Sequence, residues 1–485
     1  MTIATMRALA TLRDVRFGTS GVRGLVANMS DELCYAYAQA FLNTQAADAD
    51  KVVVGHDLRP SSPRIAAACI QAIRDSGRTV VFAGALPTPA VANYCALNQT
   101  PGIIITGSHI PFDRNGIKFY RADGEIGKAD EQTILDAAIS VPADLAPAPL
   151  PPVDPSPLHV YIARYTNFFG EGALAGKRVA LYEHSSVARD VLRTILEKLG
   201  AHVLSLGRTD TFVPIDTEAV RQEDIAQARA WASEHRFDAI LSTDGDADRP
   251  LIGDANGTWM RGDVVGILCA QYLQADVVVT PVSSNTAVEK CGAFKQVIRT
   301  QIGSPHVIAG MESAAAARPT AVVVGYEANG GFLLGSDVSK DGAVLTALPT
   351  RDAVLPMLAL LTLSTQKACA MSALGAQLPE RFTASDRIEQ VPSATSASLV
   401  ASLGQNAQYA AQLMAPSSGK IVSQDGTDGL RLTFESGDVV HLRPSGNAPE
   451  LRCYAEADTQ ARAQQLCIDC LQRVAAEVQA IGTRQ

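Results

Sequence analysis

"KVVVGHDLRPSSPRIAAACIQAI", residues 51–73, opens as a β-branched strand, passes through a polar turn holding Ser-Ser, and continues as a helix with apolar residues at helical spacing. The same grammar returns in "KRVALYEHSSVARDVLRTILEKLG", residues 177–200, and in "ADVVVTPVSSNTAVEKCG", residues 275–292. Starts at Lys51, Lys177 and Ala275 lie too far apart for a solenoid and suit three related α/β domains. Ser61, Ser185 and Ser283 fall near the helix starts, where capping of the first turn accounts for them.

Between these units, "PADLAPAPLPPVDPSPL", residues 142–158, is too rich in proline for a helix or a central strand and marks one boundary. Another follows "LIGDANGTW", residues 251–259, where Asn256-Gly257 reads as a hairpin turn, and a third falls between Ala370 and Asp386. Beyond it, "KIVSQDGTDGLRLTFESGDVVHLRPS", residues 420–445, alternates short strands with Asp-Gly and Ser-Gly turns before "LRCYAEA" leads into a terminal helix. The expected plan is α/β: three related domains with mixed sheets, at 1–152, 153–257 and 258–372, then a smaller C-terminal α+β domain at 373–485.

Composition narrows the function. The 485 residues, 47% hydrophobic and 19% charged, can bury several cores. The apolar run Leu355 to Leu363 is too short to span a bilayer, and Met1 to Arg13 lacks the continuous apolar core of a secretory signal. A cytoplasmic protein with no membrane partner is expected. A net charge of −9 argues against nucleic acid, so an anionic ligand must be met by locally placed Arg and Lys or by a metal. The nine cysteines are scattered except Cys467 and Cys470, which a helical pattern places on one face as a packed, reduced pair. Oligomeric state is left open.

Five stretches carry chemistry. "IITGSHIPFDRNGIKFY", residues 104–120, holds Ser108, His109 and Lys118 after an apolar strand, yet fits neither a hydrolase triad nor a phosphate-cradling P-loop. "LSTDGDADRP", residues 241–250, sets Asp244, Asp246 and Asp248 two apart, so the carboxylates of an extended loop converge on one hard cation. Arg249 and Ala255 stand where an EF-hand requires Gly and Glu, which disfavours calcium; an aspartate-nucleophile phosphatase and a charged surface turn are the alternatives. "HLRPSGNAPELRCY", residues 441–454, offers Arg443, Ser445, the Gly446 backbone, Asn447 and Arg452 as a phosphate clamp, with strand alternation sending Leu451 and Cys453 to one face and Arg452 to the other. "GYEANGGFLL", residues 325–334, puts Glu327 and Asn329 in a glycine-rich loop suited to sugar hydroxyls, and Arg23 in "RFGTSGVRG", residues 16–24, is placed to meet a phosphate.

Taken in order, these motifs resemble the α-D-phosphohexomutases, which move phosphate between the 1- and 6-hydroxyls of a hexose, and the resemblance covers nearly the whole chain. It implies four domains around a central cleft and a phosphosugar substrate. Ser108 would be a phosphoserine and the fourth ligand of a Mg2+ ion held by Asp244, Asp246 and Asp248. Lys118 would be the general acid/base, its pKa lowered by neighbouring cations, with His109 and Arg249 completing the catalytic shell. A hexose 1,6-bisphosphate would serve as intermediate and activator. Phosphomannomutase activity is expected first, phosphoglucomutase or phosphoglucosamine mutase next, and a sugar phosphatase is the rival from another class. The family pattern has Ala before the serine and Asn before the proline, where this chain has Gly107 and Ile110. In the sugar loop Asn329 and Gly331 stand at the family's Ser and His positions, and in the phosphate loop Asn447 and Ala448 replace Thr and Glu.

Overall fold

A parallel strand pair needs a crossover of about a dozen residues, whereas an antiparallel return needs only a short loop. That difference decides where the loops of this chain end up. In the computed structural model, which describes residues 3–18, 20–445 and 449–482, each repeated stretch begins the middle one of three parallel strands. Lys51–His56 pairs in parallel with Thr79–Ala85 on one side and Gly102–Ile105 on the other. Arg178–Tyr182 does the same with His202–Leu206 and Ala239–Thr243, and Val277–Pro281 with Gln296–Thr300 and Val323–Tyr326. Helices make the crossovers; Ser62–Asp75 takes Pro63 in its first turn and buries Ile65, Cys69, Ile70 and Ile73 on one face.

In each sheet the third strand then turns back into an antiparallel fourth: Arg114–Arg121, Pro250–Asp254 and Phe332–Leu334. The three reversals, residues 106–113, 244–249 and 327–331, therefore lie beyond the carboxyl ends of the parallel strands, where open α/β sheets bind ligands. They hold the serine, aspartate and sugar-loop motifs. Val22–Leu25 extends the first sheet beside Arg114–Arg121, which brings Arg23 to the same end.

The last sheet is wholly antiparallel, ordered Phe382–Glu389, Glu450–Ala457, Val439–Pro444, Leu430–Phe434, Ile421–Asp425, and is backed by Ser393–Gln405 and Gln460–Gly482. Four units, three mixed and one antiparallel, match the expected fold class. One continuous apolar cluster runs through the first three sheets, from Val53 and Ile104 through Val179 and Leu241 to Val278 and Val324. The helix Val354–Gln366, buried from Val354 to Ser364, joins it, so the apolar run noted in the sequence is a core helix. The C-terminal sheet keeps a separate cluster around Leu432, Val440 and Leu451. Polar contacts dock it: Glu456 accepts from the Thr286 amide at 3.0 Å, and Asp428 accepts from the Ile302 amide at 2.9 Å.

The repeated serines do not cap. Ser61 makes no cap bond; its hydroxyl and that of Ser62 accept from Asn115 Nδ2 at 2.8 and 2.9 Å, tying the helix start to the fourth strand. Ser185 accepts from the Val213 amide at 2.8 Å, and the helices after Ser185 and Ser283 begin only at Arg189 and Ala287, uncapped by side chains. These turns spend their hydroxyls on bracing neighbouring loops. All nine cysteines are free, and Cys467 and Cys470 are buried together on the terminal helix, where Cys467 Sγ donates to the Cys453 carbonyl at 3.7 Å. Among the described residues no helix is long and apolar enough to cross a membrane.

Candidate active site

Ser108 is fully buried and adopts φ +53°, a left-handed backbone that few non-glycine residues take. Its amide donates to Thr106 Oγ1 at 2.8 Å. Around it the loop is strapped from inside by Arg59, whose guanidinium donates to the carbonyls of Ser108, Ile110, Pro111 and Arg114 at 2.6–3.1 Å. Arg59 is itself fixed by Asp57 at 3.2 Å and by Phe212, 4.0 Å beneath it. A Cβ on residue 107 would stand 2.6 Å from the Arg59 guanidinium, so Gly107 is the residue that lets the strap pass. The departure from the family pattern at 107 thus has a packing cause.

Across the sheet boundary the Ser108 hydroxyl donates to Asp244 Oδ2 at 2.6 Å and lies 3.3 Å from His109 Nδ1. Arg249 Nη1 is 3.0 Å from the same His109 nitrogen. Burial and then the Arg249 charge push the His109 pKa down to about 3, so the imidazole is neutral and accepts from the guanidinium. Asp244, Asp246 and Asp248 converge, each offering an oxygen within 4.8 Å of the others. Burial and the two neighbouring carboxylates raise Asp244 well above the usual range. Burial acts the same way on Asp248, but Arg351, Lys118 and Arg249 overcome it and hold that carboxyl low. Among the described residues, Asp246 Oδ1 and Asp248 Oδ1 are buried without a hydrogen-bond partner, the latter with Arg249 Nε 3.6 Å away. Buried carboxylate oxygens free of hydrogen bonds beside a third carboxylate are a donor set that fits a hard divalent cation.

Lys118, on the fourth strand of the first sheet, donates to Asp246 Oδ2 and Asp248 Oδ2, both at 2.7 Å. Its pKa moves opposite to expectation: burial alone lowers it, but Asp246 and Asp248 outweigh burial and the net shift is upward. The cations near it, Arg351 among them, are the weaker influence.

Sequence patterns missed Arg351, which donates to Asp248 Oδ2 at 2.7 Å and to Glu327 Oε2 at 3.1 Å and so joins the aspartate loop to the sugar loop. It lies in "LPTRD", residues 348–352, a strand with no spacing to mark it. A Cβ at Gly331 would sit 2.7 Å from Arg351 Cδ; the glycine at the family's histidine position makes room for this bridge. Thr88, also missed, donates to Asp246 Oδ2 at 2.7 Å. Asn329 Oδ1 accepts from the Gly331 amide at 2.9 Å, so half of its amide shapes the loop. Arg23 lines the same cavity, its pKa lowered to about 10 by burial and by Arg249 and Arg351.

Arg443 and Arg452 stand directly opposite on adjacent antiparallel strands. Like charges in that register repel, and each is met by a carboxylate, Asp428 at 2.8 Å and Glu450 at 3.1 Å. Leu451 and Cys453 are buried while Arg452 is half-exposed, as strand alternation requires. Ser445 is buried beside them; Gly446 and Asn447 lie outside the described residues. All four units contribute to one cleft, lined among others by Arg23 and His109, by Arg249, by Glu327 and Asn329, and by Arg443 and Arg452.

Profiles of the phosphoglucomutase/phosphomannomutase family match in sequence: α/β/α domain I over residues 14–141, domain II over 159–257, domain III over 261–382 and the C-terminal domain over 379–471. The chain is 47% identical over 451 residues to a phosphomannomutase of Salmonella muenchen, covering 92% of each. It is 45% identical over 462 residues to a phosphomannomutase of Sinorhizobium fredii, covering 93% of this chain and 97% of the relative. A phosphoglucosamine mutase of Symbiobacterium thermophilum is 31% identical over 352 residues, 68% of this chain and 77% of the relative. Among solved structures, a phosphoglucomutase/phosphomannomutase family protein from Burkholderia thailandensis aligns with TM-score 0.71 at 18% identity, covering 94% of this chain and 97% of that one. The molecule is thus a phosphohexomutase, an isomerase by reaction class. The chain belongs to the phosphoglucomutase/phosphomannomutase family of the α-D-phosphohexomutase superfamily.

Proposed function

We propose that the protein is a magnesium-dependent phosphomannomutase that interconverts hexose 1-phosphate and hexose 6-phosphate through a phosphoserine at Ser108 and a bisphosphorylated sugar. The observation that carries this is the approach of the Ser108 hydroxyl to Asp244 at 2.6 Å, inside a carboxylate triad whose donor set suits a divalent cation. A serine so placed suits a carrier of phosphate beside a metal. Asp244, Asp246 and Asp248 would hold the cation, with Ser108 as a further ligand. When bound, Mg2+ would neutralise charge on the transferring phosphoryl group. Lys118, kept protonated by two carboxylates, gives its proton to the sugar oxygen that departs as Ser108 takes up phosphate, while the Ser108 proton passes to Asp244 Oδ2, to which it already donates; in the reverse transfer Lys118 receives the proton of the attacking hydroxyl and Asp244 returns its proton to the Ser108 oxygen. Arg443 and Arg452 exchange their carboxylate partners for the phosphate that is not reacting, and Ser445, Gly446 and Asn447 complete that grip. Glu327 and Asn329 face the sugar.

Mannose is favoured over glucose and glucosamine by the two phosphomannomutases at 47% and 45% identity. The test is incubation of the purified protein with each hexose 1-phosphate, Mg2+ and a trace of the bisphosphate. Conversion to the 6-phosphate with mannose fastest is expected; steady release of inorganic phosphate without need of bisphosphate would make the protein a phosphatase.

A further inference from the structure

Asp216 and Glu218 line the cleft wall, and the charges of both Arg249 and Arg452 act on Glu218. Asp216 Oδ1 accepts from the amides of Glu218 and Ala219 at 2.9 and 3.3 Å, closing a tight turn. The buried Thr217 hydroxyl donates to the Asn329 carbonyl at 2.6 Å, joining this turn to the sugar loop. The Glu218 carbonyl accepts from Arg261 Nη1 at 3.3 Å. The backbone of Glu218 is thus held on three sides. Its carboxylate is not: among the described residues none makes a hydrogen bond or ion pair with it, although it lines the cleft with Arg249 and Arg452. Burial, and then Asp216, raise its pKa.

A carboxylate accepts hydrogen bonds and donates none, and a phosphate has the same character, so Glu218 has no use for either end of a sugar bisphosphate. The middle of the ligand is different, because ring hydroxyls donate. Glu327, the other carboxylate near the sugar loop, is already engaged by Arg351 at 3.1 Å. We infer that Glu218 is a specificity-determining residue that accepts a hydrogen bond from a ring hydroxyl of the hexose, with Asp216 and Thr217 as the residues that position it. This rests on the phosphosugar mutase function proposed above.

A hydrogen bond from a neutral donor to a charged acceptor is worth about tenfold to a hundredfold in binding or rate. The test measures kcat/KM of wild type and Glu218→Gln for hexose 1-phosphate and its 2-, 3- and 4-deoxy analogues, with binding constants by calorimetry alongside. Wild type should discriminate against one deoxy position by about that factor, and Glu218→Gln should lose most of the discrimination at that position alone, because the two deletions remove the same contact. Equal penalties in both proteins at all three positions would overturn the inference. A general folding defect lowers every substrate equally and leaves the ratios untouched; Glu218→Asp, which keeps the charge, should restore part of the ratio. If wild type turns over none of the sugars, the mutase proposal fails, and the calorimetric ratios still decide the role of Glu218.

Discussion

Ser108, Asp244, Asp246 and Asp248 were legible in the sequence because their chemistry is carried by spacing within a single loop. Arg351 and Thr88 were not, because each reaches the site from another part of the chain and stands among residues typical of any strand or helix start. Arg59 lay in the opening stretch of the first repeat, but nothing local says that its guanidinium turns inward to four carbonyls. Two predictions concern single side chains. Intact mass should show a fraction of the protein heavier by one phosphate; Ser108→Ala should lose that mass and nearly all turnover, and full activity in the variant would exclude a phosphoserine route. Asp246→Asn should cut turnover by about a hundredfold or more and raise the Mg2+ concentration needed, since it removes one charge from the cation's ligands. Unchanged Mg2+ dependence would assign the triad to Lys118 and Arg351 alone.

The strand reversals explain why the site forms. A helix crossover delivers each chain segment back to the same edge, and the short antiparallel return then projects a loop beyond the parallel strands, so three loops of similar origin meet without any long excursion. The repeat of strand, Ser-Ser turn and helix announced the sheets; the serines' bracing contacts with Asn115 and Val213 were hidden because their partners are distant in sequence. On the antiparallel sheet, Arg443 and Arg452 face each other in register, and under the proposed function they would grip an anion without reading which sugar carbon bears the phosphate. Arg452→Ala should therefore impair hexose 1-phosphate and hexose 6-phosphate by similar factors while Ser108 stays phosphorylated, and much of the loss should appear in kcat. A defect confined to one substrate would show that the prongs read the sugar.

Stability of the molecule carries a pH signature. Burial lowers His184 and His441 from 6.5 to about 4, one in the second sheet's turn and one in the C-terminal sheet. Each stays neutral when folded and takes a proton when unfolded, so their contribution is complete above pH 6.5 and is lost as pH falls toward 4, roughly 3 kcal/mol apiece. Denaturant unfolding at pH 7 and pH 5 should show the lower stability at pH 5, and His441→Gln should reduce the difference; equal stabilities would show that both imidazoles find compensation. The first three sheets each keep a cluster of their own, around Val54 and Phe119, Ala180 and Ile240, and Val277 and Val323, and share a further one between them. Excising any one unit would cut through that shared interior and expose it to water. The C-terminal sheet has its own interior and meets the other three through a polar seam, so removing it would leave their shared interior covered.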